Sequence, residues 1–178
     1  GEANHHISNT AYPIAHRETF WPYRIERERH KEVVAAAFAD LDAICLYSHI
    51  PFCESRCFFC EYTVVGKKEI GSTEIYMRAL DEETRLYAEF LGSRKIRGFD
   101  IGGGTPSYPR AEFIENHIET VNRYFTILPE CEISIETTPK IAAQEMEKMK
   151  AYFKMGVRRI SMGVQVTQPD LLKVLGRE

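Results

Sequence analysis

Long apolar runs are missing from this sequence, as is an excess of either charge. The longest uncharged apolar runs, such as Val33–Ala39, are far shorter than the roughly 20 residues that a membrane-spanning helix requires. The 23 basic residues are balanced by 26 acidic ones, a net charge of −3, whereas nucleic-acid-binding domains are usually strongly basic. We therefore expect no membrane segment and no nucleic-acid partner. The start of the chain also lacks the pattern of a signal peptide, which favours a cytoplasmic protein.

Cysteine is scarce, and the five cysteines in 178 residues are too few and odd in number for a disulfide scaffold. Three of them nevertheless form a local cluster, because Cys53, Cys57 and Cys60 fall within eight residues. In a cytosolic protein such a cluster indicates metal or redox chemistry rather than disulfide bridges. Cys45 and Cys131 stand alone inside apolar segments, so we expect both to be small buried side chains.

Apolar strand-like segments alternate with amphipathic helical segments along the chain. Strands are predicted over residues 43–50, 98–102, 131–137 and 158–165, and helices over residues 73–91, 110–126 and 141–155 and from about residue 168. Four such β/α units predict an α/β fold with a parallel sheet. Residues 1–42 are predicted to be an N-terminal extension with a polar helix, and residues 43–178 the core. Parallel sheets bind ligands at the carboxyl ends of their strands, so the residues after each strand are the candidate site.

The three longer helical segments each show a regular apolar face. Their members are Tyr76, Leu80, Tyr87 and Leu91; Ile114, Ile118, Val121 and Phe125; and Ala142, Met146, Met149 and Phe153. We expect these faces to pack on the sheet.

The cysteine cluster directly follows the first strand, with the spacing Cys53-x3-Cys57-x2-Cys60. Three thiolates on a short loop can hold three irons of a cubane [4Fe–4S] cluster, and the fourth iron is then open to a non-protein ligand. A structural zinc site with His49 as the fourth ligand is an alternative, although the paired ligand spacing of such sites is absent.

The other strands also end in residues suited to ligand contact. The second strand runs into Gly102-Gly103-Gly104-Thr105, where the backbone can approach a ligand closely. Glu136 ends the third strand and Gln165 the fourth. A tight turn or helix capping is the alternative for each. Hydrolase chemistry has no support, since neither a G-x-S-x-G elbow nor an H-E-x-x-H motif occurs.

Taken together, these motifs resemble the radical S-adenosylmethionine (SAM) superfamily, and within it the branch of the oxygen-independent coproporphyrinogen III oxidases. The sequences that carry the resemblance are YSHIPFC at 47–53, GGGTPS at 102–107, ISIE at 133–136 and RISMGVQ at 159–165. The resemblance implies a partial (β/α)6 TIM-like barrel. Because about four β/α units are present, we expect an incomplete barrel, the N-terminal, SAM-binding portion of a longer enzyme.

The resemblance also implies the cofactors and their contacts. Cys53, Cys57 and Cys60 would ligate a [4Fe–4S] cluster, and SAM would complete its fourth iron. The SAM contacts would come from Tyr47, Phe59, Gly102, Gly103, Gly104, Thr105, Glu136, Gln165 and Arg177. The implied activity is reductive cleavage of SAM to a 5′-deoxyadenosyl radical. It requires a small-molecule substrate, with tetrapyrroles among the candidates, and a reducing partner such as flavodoxin or ferredoxin.

One position departs from the pattern of the branch. Members that oxidise coproporphyrinogen carry a further cysteine two residues after the third ligand, where this chain has Tyr62. The alternatives within the branch are a haem chaperone or other non-catalytic cluster- or haem-binding relative, and a class C-type methyltransferase or cyclopropanase of a natural-product pathway.

Overall fold

The computed structural model describes residues 26–66 and 71–177 of the chain. The helices in these ranges are α1 (His30–Ala37), α2 (Thr73–Leu91), α3 (Ala111–Tyr124), α4 (Pro139–Gln144), α5 (Met146–Lys154) and α6 (Pro169–Val174). The strands are β1 (Ala43–Ile50), β2 (Lys95–Gly103), β3 (Thr126–Ile127), β4 (Ile133–Thr137) and β5 (Val157–Met162). Helix α1 lies within the predicted extension, whose residues 1–25 are outside the described part. None of the described helices has the length and apolar character needed to cross a membrane.

The strands form one parallel sheet in the order β1-β2-β4-β5, and the short β3 pairs with the start of β2. The predicted α/β fold with a parallel sheet is thus confirmed. The sequence does not predict β3, because two residues are too few to show an alternating pattern. Ile50 lies opposite Gly103, and Thr137 lies opposite Met162. The carboxyl ends of the four longer strands therefore meet at one edge.

Helices α2 and α3 cover one face of the sheet. The β2 side chains Ile96, Phe99 and Ile101 are buried in the core that they share. The apolar faces predicted for residues 73–91 and 110–126 are confirmed, because all eight side chains lie in this core or pack against it. The opposite face of the sheet is polar: Asp100 accepts hydrogen bonds from Ser134 and Arg159 and so links β2 to β4 and β5.

The segment predicted as one helix over residues 141–155 is helical but divided, because the chain forms the two separate helices α4 and α5. Of the predicted apolar face, Met149 packs against the core as expected. The break falls at Glu145, whose φ of −117° and ψ of 56° are not helical. A break changes which side chains face inward, since each helical residue turns the chain by about 100°. Met146 and Phe153 are consequently 56% and 65% exposed, whereas Tyr152, outside the predicted face, is fully buried.

Two further expectations are corrected by the sheet. Cys45 is exposed rather than buried, because side chains alternate along β1 and Cys45 shares with Tyr47 the face that the helices leave open. Cys131 is buried as expected. The strand predicted to reach Gln165 ends at Met162, and Gln165 lies in the following loop with a φ of 55°.

A buried polar chain ties both covering helices to the end of β1. The Ser48 Oγ lies 2.8 Å from the His117 Nε2, and the His117 Nδ1 lies 2.7 Å from an Asp81 carboxylate oxygen. His117 is completely buried and Ser48 nearly so. These three residue types also occur in hydrolases, but the buried Ser48 hydroxyl does not line the cleft described below. This series of hydrogen bonds is therefore structural. It begins at Ser48, three residues before Pro51, where the cysteine loop starts.

Replacing His117 by alanine is expected to lower the free energy of unfolding by about 2–4 kcal/mol, because it opens a cavity and leaves Ser48 without its partner. Urea unfolding monitored by circular dichroism measures the change. The control is His30→Ala, which removes an exposed histidine and is expected to stay within about 0.5 kcal/mol of the wild type. Equal midpoints for the two variants would contradict a stabilising role of the buried chain.

Candidate functional site

A cleft of about 730 Å³ opens at the edge where the strands end. Nine of the twelve predicted site residues line it: Cys53, Cys57, Phe59, Cys60, Gly103, Gly104, Thr105, Glu136 and Arg177. The other three, Tyr47, Gly102 and Gln165, do not line the cleft. Tyr47 and Gly102 lie next to the cleft residue Glu136, and Gln165 lies next to the cleft residue Gly163. Side chains from all four strand ends are thus brought together around one volume.

The cysteine loop is held at both of its ends by backbone hydrogen bonds. The Val65 N–H donates to the Pro51 carbonyl at 2.7 Å, and the Cys53 N–H donates to the Val65 carbonyl at 3.0 Å. The sequence gives no signal for this closure, because periodicity does not report pairing between two short irregular segments. The loop therefore begins and ends at one place on the sheet edge, with the three cysteines between.

The three cysteines differ in their surroundings. Cys53 is only 8% exposed, and its sulfur lies 3.5 Å from the Thr105 hydroxyl, whereas Cys57 and Cys60 are half-buried. Burial raises the pKa of the Cys53 thiol, while the Thr105 hydrogen bond and the Arg177 charge act in the opposite direction. Cys53 is thus the most buried of the three cysteines that line the cleft, and Cys57 and Cys60 are more accessible to solvent.

The donor set suits a cubane cluster better than a single zinc ion. Within the described ranges, no three His, Cys, Asp or Glu side chains converge as the ligands of one metal ion do. In a cubane each cysteine sulfur bonds a different iron, so three cysteines surround one cluster without sharing a single metal ion. The His49 Nδ1 lies 3.2 Å from the Tyr47 hydroxyl, which gives no support to His49 as a zinc ligand. Soft thiolates without other ligands are the donors that iron–sulfur clusters use.

The glycine run packs directly against the base of the cysteine loop. A Cβ at Gly104 would lie 2.8 Å from the Cys53 sulfur and from the Pro51 carbonyl. The Gly104 N–H donates to the Ile50 carbonyl at 2.9 Å, and the Thr105 N–H donates to the Phe52 carbonyl at 2.8 Å. The absence of side chains here is therefore required by the loop itself.

Glu136 and Tyr47 meet over the first two glycines. The Gly103 N–H, in a residue with a φ of 126°, donates to a Glu136 carboxylate oxygen at 3.2 Å. A Cβ at Gly102 would lie 2.8 Å from the Tyr47 ring and 3.2 Å from the Glu136 carboxyl carbon. Burial, and then the charge of Glu136, raise the pKa of Tyr47 to about 12. The phenol keeps its proton over a still wider pH range than a free tyrosine, and its hydroxyl lies 3.2 Å from the His49 Nδ1.

Arg177 and Gln165 reach the site from the far side. Both side chains lie against Gly163, where a Cβ would be 3.3 Å from the Gln165 amide and 3.5 Å from the Arg177 guanidinium. Gln165 is the only described residue other than glycine with a positive φ, so its backbone is held in an uncommon conformation. The cleft therefore has a carboxylate at β4 and a guanidinium after α6, which suits a ligand that carries both charges.

Comparison with known proteins finds a matching family and several relatives of this chain. The sequence profile of the radical SAM superfamily matches residues 47–178. The heme chaperone HemW of Haemophilus influenzae is 31% identical over 141 residues, which cover 77% of this chain and 36% of the relative. An oxygen-independent coproporphyrinogen III oxidase of Bradyrhizobium diazoefficiens is 32% identical over 134 residues, or 74% of this chain and 29% of the relative.

A solved structure gives the same result. Coproporphyrinogen III oxidase from Escherichia coli, described as a radical SAM enzyme, matches with a TM-score of 0.77 and 27% identity over 86% of this chain and 35% of that chain. The chain thus spans about a third of the length of the curated relatives it matches.

Replacing Gly104 by alanine is expected to lower iron and sulfide incorporation, because the new methyl group would displace Cys53 at a cost of about 1–3 kcal/mol. Iron and sulfide per chain after anaerobic reconstitution measure the effect. The matched control is Gly66→Ala, since a Cβ at Gly66 meets nothing within 4 Å. If both variants load like the wild type, Gly104 does not fix the position of Cys53.

Proposed function

This chain belongs to the radical SAM superfamily, and on that premise we propose that it is the part of an enzyme that holds a [4Fe–4S] cluster and SAM and generates the 5′-deoxyadenosyl radical. The observation that carries the proposal is the meeting of all three cysteines with Gly103, Glu136 and Arg177 around one cleft. Cys53, Cys57 and Cys60 would hold the cluster, which when bound would supply the electron for reductive cleavage of SAM to methionine and the 5′-deoxyadenosyl radical.

Arg177 and the glycine run fit the two charged groups of a bound methionyl moiety. The Arg177 guanidinium would pair with its carboxylate, since arginine recognises carboxylates through two parallel hydrogen bonds. The Gly102–Thr105 backbone would accept hydrogen bonds from its amino group. These contacts would hold the sulfonium beside the cluster. Holding reacting groups in the right geometry lowers the activation barrier, because their freedom of motion is already lost on binding.

The remaining polar groups suit the nucleoside half of SAM. Glu136 and Gln165 carry acceptors and donors that ribose hydroxyls require, and the neutral Tyr47 phenol can donate a further hydrogen bond. Phe59, which lines the cleft and is 46% exposed, offers a ring face against which an adenine can stack. The cleft therefore has a plausible contact for each chemical portion of SAM.

Haem delivery is the second candidate, and Tyr62 is the residue that favours it over coproporphyrinogen oxidation. Tyr62 lines the cleft and is 50% exposed, at the position where oxidases of this branch carry a cysteine. Relatives at similar identity are described both as heme chaperones and as coproporphyrinogen oxidases. For the first candidate, radical generation, we propose a small-molecule substrate, with tetrapyrroles and methyl acceptors as the candidate classes. The electron would come from a reducing partner such as flavodoxin or ferredoxin.

The protein reconstituted anaerobically with iron and sulfide is expected to convert SAM to 5′-deoxyadenosine when dithionite is added. Cys57→Ala should abolish the product, because the cluster would lose one of its three protein ligands. Cys45→Ala should retain it, since that exposed cysteine lies outside the cleft. Chromatography of the quenched reaction measures 5′-deoxyadenosine.

A cluster-containing protein that forms no 5′-deoxyadenosine would overturn radical generation. Haem titration then tests the second candidate: haem bound equally by the wild type and by Cys57→Ala would favour delivery. Haem bound by neither protein would exclude it.

A further inference from the structure

Phe58 sits between two cleft residues but does not itself line the cleft. It follows Cys57 and precedes Phe59, and its side chain is 80% exposed. Its N–H donates to the Leu175 carbonyl at 3.0 Å, and three atoms of its ring lie 3.3 Å from the position of a Cβ at Gly176. An aromatic ring that is largely exposed to solvent is thus packed against bare backbone on its inner side.

The backbone on the other side of this contact is a tightly defined helix end. The Gly176 N–H donates to the Lys173 carbonyl at 3.0 Å, and the Arg177 N–H donates to the Leu172 carbonyl at 2.8 Å. This pair of bonds, with a φ of 68° at Gly176, is a Schellman motif at the end of α6. The motif leaves the Leu175 carbonyl free to accept the bond from Phe58 and sets the direction in which Arg177 leaves the helix.

We propose that Phe58 and Gly176 are positioning residues, which dock the end of α6 on the cysteine loop and thereby hold Arg177 in the cleft. The inference rests on the proposed function, because it assigns to Arg177 the carboxylate of SAM. Phe58 touches neither the cleft nor a ligand within it, so its effect passes through the Leu175–Arg177 backbone. A displacement of the cysteine loop would then also displace Arg177. The position of the three cysteines and the proposed contact between Arg177 and SAM are therefore coupled.

Glycine at position 176 serves two needs that can be separated experimentally. Gly176→Ala introduces strain at a φ of 68° and also a methyl group against the Phe58 ring. Gly92, at the end of α2, has a φ of 72° and nothing within 4 Å of a Cβ. Gly92→Ala therefore introduces strain at a positive φ, with a ψ of −176°, without any contact to the added methyl group, and it is the control for backbone strain alone.

The test is equilibrium dialysis of SAM against the cluster-loaded protein, with iron content and circular dichroism measured on each variant. Phe58→Ala and Gly176→Ala are expected to raise the Kd of SAM by roughly tenfold, the effect of one misplaced charged contact. Gly92→Ala should leave the Kd unchanged. Phe58 is exposed, so Phe58→Ala keeps the inference testable if Gly176→Ala does not fold.

A double-mutant cycle distinguishes action through Arg177 from general loosening. In an Arg177→Ala background, Phe58→Ala is expected to raise the Kd by less than about twofold, because the group it positions is already gone. Additive effects, or an unchanged Kd in Phe58→Ala while Arg177→Ala weakens binding, would overturn the inference and leave the proposed function intact. A cluster-loaded wild type that binds no SAM would overturn the proposed function and the inference with it.

Discussion

The backbone contact between the glycine run and the base of the cysteine loop is the constraint on which the rest of the cleft depends. Hydrogen bonds from Gly104 to Ile50 and from Thr105 to Phe52 continue the pairing of β1 and β2 beyond the ends of both strands. A Cβ at Gly104 would lie 2.8 Å from both the Cys53 sulfur and the Pro51 carbonyl, so this contact leaves no room for a side chain at position 104. The cysteines are consequently carried on a base that belongs to the sheet, although the loop itself has no regular structure.

Charge in the cleft follows from the same arrangement. Cys53 is buried by the glycine run, which raises the pKa of its thiol, and the Thr105 hydroxyl and Arg177 guanidinium partly offset that effect. Glu136, which accepts a hydrogen bond from the Gly103 N–H, lines the same cleft, and its charge adds to the effect of burial in raising the pKa of Tyr47. The cleft therefore carries the Glu136 carboxylate at the end of β4 and the Arg177 guanidinium after α6, and its lining offers both signs of charge to a ligand.

Much of this arrangement could be predicted from the sequence because it depends on short-range patterns. Alternation of strand and helix predicts the parallel sheet, and the sheet's topology brings Gly103 and Glu136 to one edge without further information. The errors occur where one local event changes the pattern. A single non-helical residue, Glu145, divides the helix predicted over residues 141–155, and Phe153 is exposed. Cys45 reads as a core residue by its apolar neighbours, but burial depends on which face of the sheet the helices cover.

The neighbouring residues Phe58 and Phe59 illustrate what a motif leaves undetermined. Spacing relative to Cys57 and Cys60 assigns both rings to the same loop, yet Phe59 lines the cleft and Phe58 packs on Gly176 outside it. The difference arises from the Schellman motif after α6, more than a hundred residues further along the chain. A loop motif can specify the ligands of a cluster by itself. The direction of Arg177, by contrast, depends on a helix end and a loop that meet only in the folded chain, so it belongs to the tertiary structure and not to either motif.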